Sequence, residues 1–153
     1  MATQIADPAE MRVKDLDAWR KDLDGTVLAA ALSNVAQRTP MAVKMMRRWM
    51  GFRSEAVAYA GWMMLAGIAR ENPGWIAKKE YRAFLKEIEA GIEGAPNQVR
   101  YAMNAAVISI GAHVDEKSAL VTAKRIGKVE VDHGDTSCKT PDAAAAIRKK
   151  IGR

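Results

Sequence analysis

The chain has 153 residues, 49% hydrophobic and 27% charged, which fits one globular domain over residues 1–153 with a sizeable core. Lys and Arg exceed Asp and Glu by 24 to 18, and the net charge of +6 favours a polyanionic partner, nucleic acid first. No apolar stretch approaches the roughly 20 residues that span a bilayer, and no segment resembles a signal peptide. The single cysteine excludes an internal disulfide. We therefore expect a cytoplasmic protein without membrane contact.

Helix signals mark the first half of the chain. The run Asp7-Pro8-Ala9-Glu10 combines a cap, a proline at the first helical position and an acid in the first turn, and it predicts a helix continuing to about Lys21. Gly25 separates this helix from a second one over 26–37. Thr39-Pro40 then opens a third helix that Gly51 stops. Ser54 is expected to cap a fourth helix, which runs to residue 70.

The second half repeats the same pattern of helices and short turns. The turn Asn72-Pro73-Gly74 precedes a fifth helix over 78–91, and Ala95-Pro96-Asn97 opens a sixth that ends at Gly111. A seventh helix is predicted over 115–126, and Thr140-Pro141-Asp142 opens an eighth after a loop. The only short β-branched alternation is Val129-Glu130-Val131, so the sequence predicts an all-α protein.

An internal repeat refines this fold class. Val57-Ala58-Tyr59-Ala60 recurs as Val99-Arg100-Tyr101-Ala102 after 42 residues, and both copies lie on the second helix of a predicted pair. A period of about 40 residues with two helices per unit is typical of HEAT and armadillo repeats. We therefore predict an α-solenoid of about seven to eight helices in antiparallel pairs, with an irregular helical bundle as the alternative.

Two stretches resemble a known family. Residues 97–104, with Ser109-Ile110-Gly111 after them, resemble a HEAT-like helix of the bacterial DNA alkylation repair proteins, and residues 126–141 resemble the C-terminal signature of one branch of that family. The resemblance spans roughly residues 15–150 and corresponds to the C-terminal two-thirds of such a protein. It implies a HEAT-like α-solenoid whose basic concave face holds duplex DNA, and active members are glycosylases that remove alkylated purines.

The positions that match the family's catalytic set are mostly unfilled. The family's Trp-Asp-x-x-Asp segment falls on residues 25–29, where Gly25 replaces Trp and Ala29 replaces the second Asp, and its later Trp and Arg fall on Ala105 and Ile108. Base excision by the family's route therefore has little support. A local shift of the alignment brings Asp22 or Asp24 into the place of the carboxylate, with Trp19 nearby, and these three are the catalytic candidates.

The basic residues supply the candidate DNA contacts. Between Gly25 and Ser54 the chain has five bases and no acid, a pattern that attracts phosphates. Arg100 and Asn104 stand one turn apart on a predicted helix, and Lys139 precedes a helix start that favours anions. The full set of predicted nucleic-acid contacts is Lys44, Arg47, Arg48, Arg53, Arg100, Asn104 and Lys139.

Three other readings of the sequence remain open. The polar loop over 132–139 fits a structural turn. Alternatively, Cys138 acts as a nucleophile with His133 and Asp135, which would indicate a hydrolase. These three side chains together with Asp132 would alternatively form a metal site. No spacing matches a known metal or cofactor motif, so neither group is predicted. The solenoid is alternatively a non-enzymatic protein-interaction module, in which clustered methionines and missing N-terminal repeats favour a homodimer or a partner protein.

Overall fold

The structure is a computed structural model that describes residues 7–152. Eight α-helices and one short 3-10 helix at Pro73–Trp75 form this part of the chain, and it contains no strand. The all-α prediction is therefore confirmed. The α-helices are α1 Val13–Lys21, α2 Thr26–Ala36, α3 Ala42–Met50, α4 Glu55–Glu71, α5 Lys78–Gly91, α6 Asn97–His113, α7 Glu116–Ile126 and α8 Ala143–Ile151.

The helices form two layers. In the even layer α2 packs on α4, α4 on α6 and α6 on α8, while the odd layer contains α1, α3, α5 and α7. Each odd helix packs on the even helix that follows it in the chain. Because the connections between most helices are short, the C-terminal ends of the even helices lie together at one end of the molecule, which we call the even C-terminal end.

The central pair, α4 and α6, explains why the repeat is rich in small residues. Each of these helices has 17 residues, and they pack against each other as well as against odd-layer helices. A helix enclosed on most sides is apolar around most of its circumference. Alanines and glycines at these positions allow the two layers to approach closely, and the large side chains then fill the remaining space.

The tryptophans and methionines are largely core residues. Trp49 and Trp62 are buried, as the sequence predicted. Met45, Met46 and Met64 are fully buried as well, so the adaptable methionine surface expected from their clustering does not form from these residues. They fill the irregular space between α3 and α4, a role that the flexible thioether side chain suits.

The predicted start of the first helix is wrong. Asp7 forms a local turn, in which its side-chain oxygen accepts the backbone N–H of Ala9 at 2.9 Å, and α1 begins only at Val13. The amide of Arg12 is bound by the Asp15 carboxylate at 3.0 Å, which supplies the hydrogen bond that stabilises the start of the helix. Among residues 7–152, no helix is both long enough and apolar enough to cross a membrane.

Candidate nucleic-acid interface

The outer face of the even layer is apolar and repeats between α4 and α6. On α4, Ala56 and Met63 are partly exposed and lie two helical turns apart, and the same face continues to the end of the helix. Tyr59 and Ala66 lie between these positions on the same face and are buried. The corresponding positions on α6, 42 residues later, are Gln98, Tyr101, Ala105, Ile108 and Ala112. No carboxylate occurs in this stripe on either helix, so the family positions that fall on Ala105 and Ile108 lie on this face without catalytic groups.

An aromatic cluster lies at one edge of this face. The rings of Tyr101 and His133 meet edge to face with centroids 5.8 Å apart, and His133 Nε2 lies 2.9 Å from Thr140 Oγ1. Burial raises the pKa of the Tyr59 phenol, and the neighbouring Tyr101 adds to this shift. The Tyr59 phenol therefore keeps its proton at neutral pH and can donate a hydrogen bond.

The loop between α7 and α8 is fixed by its own side chains and by α6. The amide of Asn97 binds Asp132 through two hydrogen bonds of 2.7 and 2.8 Å, and Asn104 Nδ2 donates to the carbonyl oxygen of Pro141 at 2.9 Å. Within the loop Asp132 accepts the backbone N–H of Gly134, and Thr136 donates its hydroxyl to the carbonyl of His133. These bonds favour the structural reading of the loop.

No metal centre forms in the loop, and Cys138 is not positioned as a nucleophile. Cys138 is exposed, and the Nε2 atom of His133 is occupied by Thr140. Between residues 7 and 152 no group of three or more His, Cys, Asp or Glu side chains converges closely enough to hold a metal ion. The suggested site of Asp132, His133, Asp135 and Cys138 is therefore not assembled.

Basic side chains line up at the even C-terminal end. Arg38 follows α2, Arg70 lies in the last turn of α4, His113 ends α6 and Lys150 lies in the last turn of α8. Ile147 of α8 lies against Gly111 of α6, so the ends of these two helices are neighbours. Burial lowers the pKa of His113 below its usual range, and the charges of Lys150 and Arg70 lower it further, so His113 is neutral at pH 7. We call the residues Arg38, Arg70, His113, Arg148, Lys149 and Lys150 the cationic row.

One carboxylate serves the row. Glu71 lies 2.9 Å from Arg70 Nη2 and 3.7 Å from Arg38 Nε. The side-chain amide nitrogen of the buried Gln37 lies 3.4 Å from the Glu71 carboxylate. The Gln37 side chain occupies the space beside Gly67, and a Cβ added to Gly67 would collide with it. Arg148, Lys149 and Lys150 are exposed and have no ion-pair partner within the part of the chain that the structure describes.

Cations of the odd layer are used differently. Arg47 pairs with Glu80 at 2.7 Å and Arg48 with Asp17 at 2.8 Å, so each bridges two odd helices. Arg125 likewise reaches Glu89 at 2.8 Å. Favourable placement near a helix C-terminus explains a base in the last turn of any helix. Exposed lysines of the odd layer, such as Lys86 and Lys117, are unpaired among residues 7–152 as well, so the row is distinguished by the convergence of its basic residues from several helices at one end.

The predicted DNA contacts come from elements of both layers. Lys44, Arg47 and Arg48 lie on α3 in the odd layer, Arg53 lies in the turn before α4, and Lys139 lies in the loop before α8. Arg100 and Asn104 lie on α6 in the even layer; Asn104 is 1% exposed, and its amide is bonded inside the protein. Near Lys139, the Asp142 carboxylate already accepts the backbone N–H of Ala145 in the first turn of α8 at 2.7 Å.

The cationic row was not predicted from the sequence, because a run of basic residues along the chain does not reveal it. The sequence signal of the row is a basic residue at the end of every second helix.

The catalytic candidates lie away from the row. Asp22 and Asp24 are exposed in the turn between α1 and α2, and Trp19 is partly buried against the core. This turn lies at the end of the layers opposite the cationic row. Neither carboxylate accepts a hydrogen bond from another described residue.

The paired helices, their two layers and the 42-residue repeat define a HEAT-like repeat protein. No family model matches the chain. Uncharacterized proteins of Listeria innocua and Listeria monocytogenes are 26% and 25% identical to it over 150 residues, which is 95% of this chain. The chain spans about 64% of the length of these relatives.

A solved structure shows the same fold. It belongs to a protein described as one of a new family related to the HEAT-like repeat DNA glycosylases, with affinity for branched DNA structures. The TM-score is 0.89 at 21% sequence identity, over 99% of this chain and 66% of that one. The expected HEAT-like fold, and the resemblance to relatives of these glycosylases at the level of the fold, are confirmed.

Proposed function

We propose that this protein binds DNA without excising bases, and that DNA phosphates lie along the cationic row. The observation that carries this proposal is the convergence of basic residues where four even helices end together, with the three bases of α8 lacking an ion-pair partner among residues 7–152. Phosphate contacts supply most of the affinity of sequence-independent DNA binding. The carboxylate-free face beside the row removes a source of repulsion that an acidic surface would create.

The neighbour's affinity for branched DNA favours a junction as the preferred ligand. The outer face of the even layer runs from the row toward the start of α6, where Tyr101 is partly exposed, so one duplex arm can lie along the row while an unpaired base at a junction approaches Tyr101. Stacking of an unpaired base on an aromatic ring is worth about 1–3 kcal/mol. We therefore propose that the protein binds duplex DNA, and binds a three-way junction more tightly.

The test uses two variants with the same change in net charge. Replacing Arg148, Lys149 and Lys150 together by Ala removes half of the row, and Ala favours the helix that carries them. The matched control replaces Lys14, Lys21 and Lys124, which are exposed lysines of the odd layer. Affinity for a fluorescent duplex and for a junction is measured by anisotropy at several salt concentrations.

The row variant is expected to bind DNA roughly tenfold or more weakly, and its log–log salt slope should fall by about 0.9 for each lost phosphate contact. The control should retain the wild-type slope. Equal losses in both variants would show that only net charge matters and would contradict the row. A third variant, Lys44→Ala with Arg53→Ala and Lys139→Ala, tests the exposed contacts predicted from the sequence. If no variant and no wild-type sample binds at low salt, the interaction-module reading replaces this proposal.

A further inference from the structure

The odd layer contains a groove that nothing in the proposed DNA function uses. It lies between α5 and α7, has a volume of about 380 Å³, and is lined along α5 by Arg82, Leu85, Lys86 and Glu89. The α7 side is lined by Lys117, Ser118, Val121, Thr122 and Arg125. These positions recur at helical spacing on both helices, so the groove follows the helix axes and has the shape that accepts a third helix.

The floor of this groove is apolar and open. Val121 is 44% exposed and lies beside Leu85, which is buried. The other junctions of the odd layer are covered by arginines. Arg20 lies 4.5 Å from the ring centroid of Phe52, and Arg47 lies 5.3 Å from that of Phe84.

The arginines of the α5–α7 groove form ion pairs that bridge the two helices, one near each end of the groove. Arg82 Nε donates to Asp115 at 2.7 Å, and Arg125 Nη1 donates to Glu89 at 2.8 Å. Each arginine is therefore held by a carboxylate, and Val121 remains uncovered between them. The groove keeps its apolar floor accessible, whereas the equivalent apolar groups at the other junctions are shielded.

The rim of the groove is positively charged. Lys86 and Lys117 are exposed on opposite sides and have no ion-pair partner among residues 7–152. The one acid that lines the groove, Glu89, already accepts the hydroxyl of Thr122 at 2.6 Å as well as Arg125. An acidic ligand therefore meets two free ammonium groups and a carboxylate whose charge is already compensated.

We infer that this groove is the docking site of an acidic amphipathic helix of a partner protein. Apolar side chains of the partner would cover Val121, beside the buried Leu85. Its flanking carboxylates would pair with Lys86 and Lys117. This is the helix-in-groove mode of peptide recognition, in which apolar anchors give affinity and rim charges give orientation. A nucleic acid fits less well, because a phosphate backbone offers nothing apolar to cover Val121.

The probe is a short synthetic helix with leucines on one face and glutamates on both sides of them. A scrambled peptide of the same composition and a version with lysine in place of glutamate serve as ligand controls. Binding to the full chain is followed by two-dimensional amide NMR, which also locates the contact. The groove variants are Val121→Glu and the pair Lys86→Glu with Lys117→Glu, and Val27→Glu is the matched control on an exposed valine outside the groove.

The acidic amphipathic peptide is expected to shift amide signals of α5 and α7. Each groove variant should weaken the affinity for this peptide at least tenfold, whereas Val27→Glu should leave the affinity unchanged. Val121→Glu should bind duplex DNA like the wild type, so failure of this inference is distinguishable from failure of the DNA proposal. Any of four results would overturn the proposed docking site. These are absence of saturable binding, equal binding of the scrambled peptide, signal shifts outside α5 and α7, and displacement of the peptide from the groove by a DNA duplex.

Discussion

Asp115 connects α5 and α7 through one carboxylate. It caps α7 by accepting the amide and hydroxyl of Ser118, and it accepts Arg82 Nε of α5 at 2.7 Å. Burial acts to raise the pKa of this carboxyl, but the hydrogen bonds from Arg82 and Ser118 outweigh burial and hold the pKa below its usual range. The charged form of Asp115 therefore stabilises the folded state.

Substitution of Asp115 separates its charge from its capping role. Asn can still cap a helix, so Asp115→Asn removes mainly the charge and is expected to cost about 1–3 kcal/mol near neutral pH. Asp115→Ala should cost roughly 1 kcal/mol more, because the cap is lost too. Urea unfolding measures both.

The pH dependence follows from the sign of the shift. Because the pKa is lowered in the folded state, the stabilisation is present above the unfolded pKa of about 3.9 and is lost as the pH falls through the folded pKa. The gap between the wild type and Asp115→Asn should therefore close in acid. A gap that stays constant down to about pH 2 would contradict a charge-based role.

At the level of elements, Gly61 sets how closely α3 and α4 approach. A Cβ at this position would lie 2.5 Å from the backbone nitrogen of Met50 and 2.9 Å from the carbonyl carbon of Trp49. Neither backbone atom can move without shifting α3, so Gly61→Ala is expected to destabilise the protein by about 1–3 kcal/mol. Gly91→Ala is the matched control, since nothing lies within 4 Å of its added Cβ, and it should stay within about 1 kcal/mol of the wild type. Thermal unfolding of the two variants tests the close approach directly, and equal melting temperatures would contradict it.

Most element boundaries could be predicted because local chemistry determines them. The predicted fifth helix coincides with α5, and Gly127 ends α7 at a positive φ of 60°, a conformation that favours glycine. The predicted start of α1 at Asp7 is wrong because Asp7 forms only a local turn, and the helix begins after Arg12, whose backbone N–H donates to Asp15 in the first turn. Capping patterns alone cannot rank such alternatives.

At the level of the whole molecule, the repeat creates the candidate site. Arg38, Arg70, His113 and Lys150 are far apart in sequence, and the alternation of layers brings every second helix end to the same edge. The charge run over 25–54 is prominent in the sequence, yet its arginines at 47 and 48 are engaged in bonds between odd helices. A sequence search for basic runs therefore finds residues that hold the odd layer together, and misses residues that assemble only in three dimensions.

The distribution of carboxylates over the whole molecule bears on base excision. Cleavage of a glycosidic bond produces a cationic sugar, and a nearby carboxylate stabilises it. The outer stripe of α4 and α6 has none, and the carboxylates at its borders are engaged: Glu55 accepts the backbone N–H of Gln98 at 2.7 Å, and Asp142 caps α8. Asp22 and Asp24 lie in the α1–α2 turn, at the end opposite the row.

We therefore expect binding without release of a damaged base. A duplex carrying 7-methylguanine should bind with the same affinity and salt slope as an undamaged duplex, because the cationic row contacts phosphates and phosphate contacts do not distinguish bases. Chromatography of the reaction should detect no free 7-methylguanine beyond that released from DNA alone. Release that Asp24→Asn or Asp22→Asn abolishes, with Asp7→Asn unaffected as the control, would assign a catalytic carboxylate to the α1–α2 turn. That result would mean that DNA reaches the end of the layers opposite the cationic row, and it would contradict the binding mode proposed above.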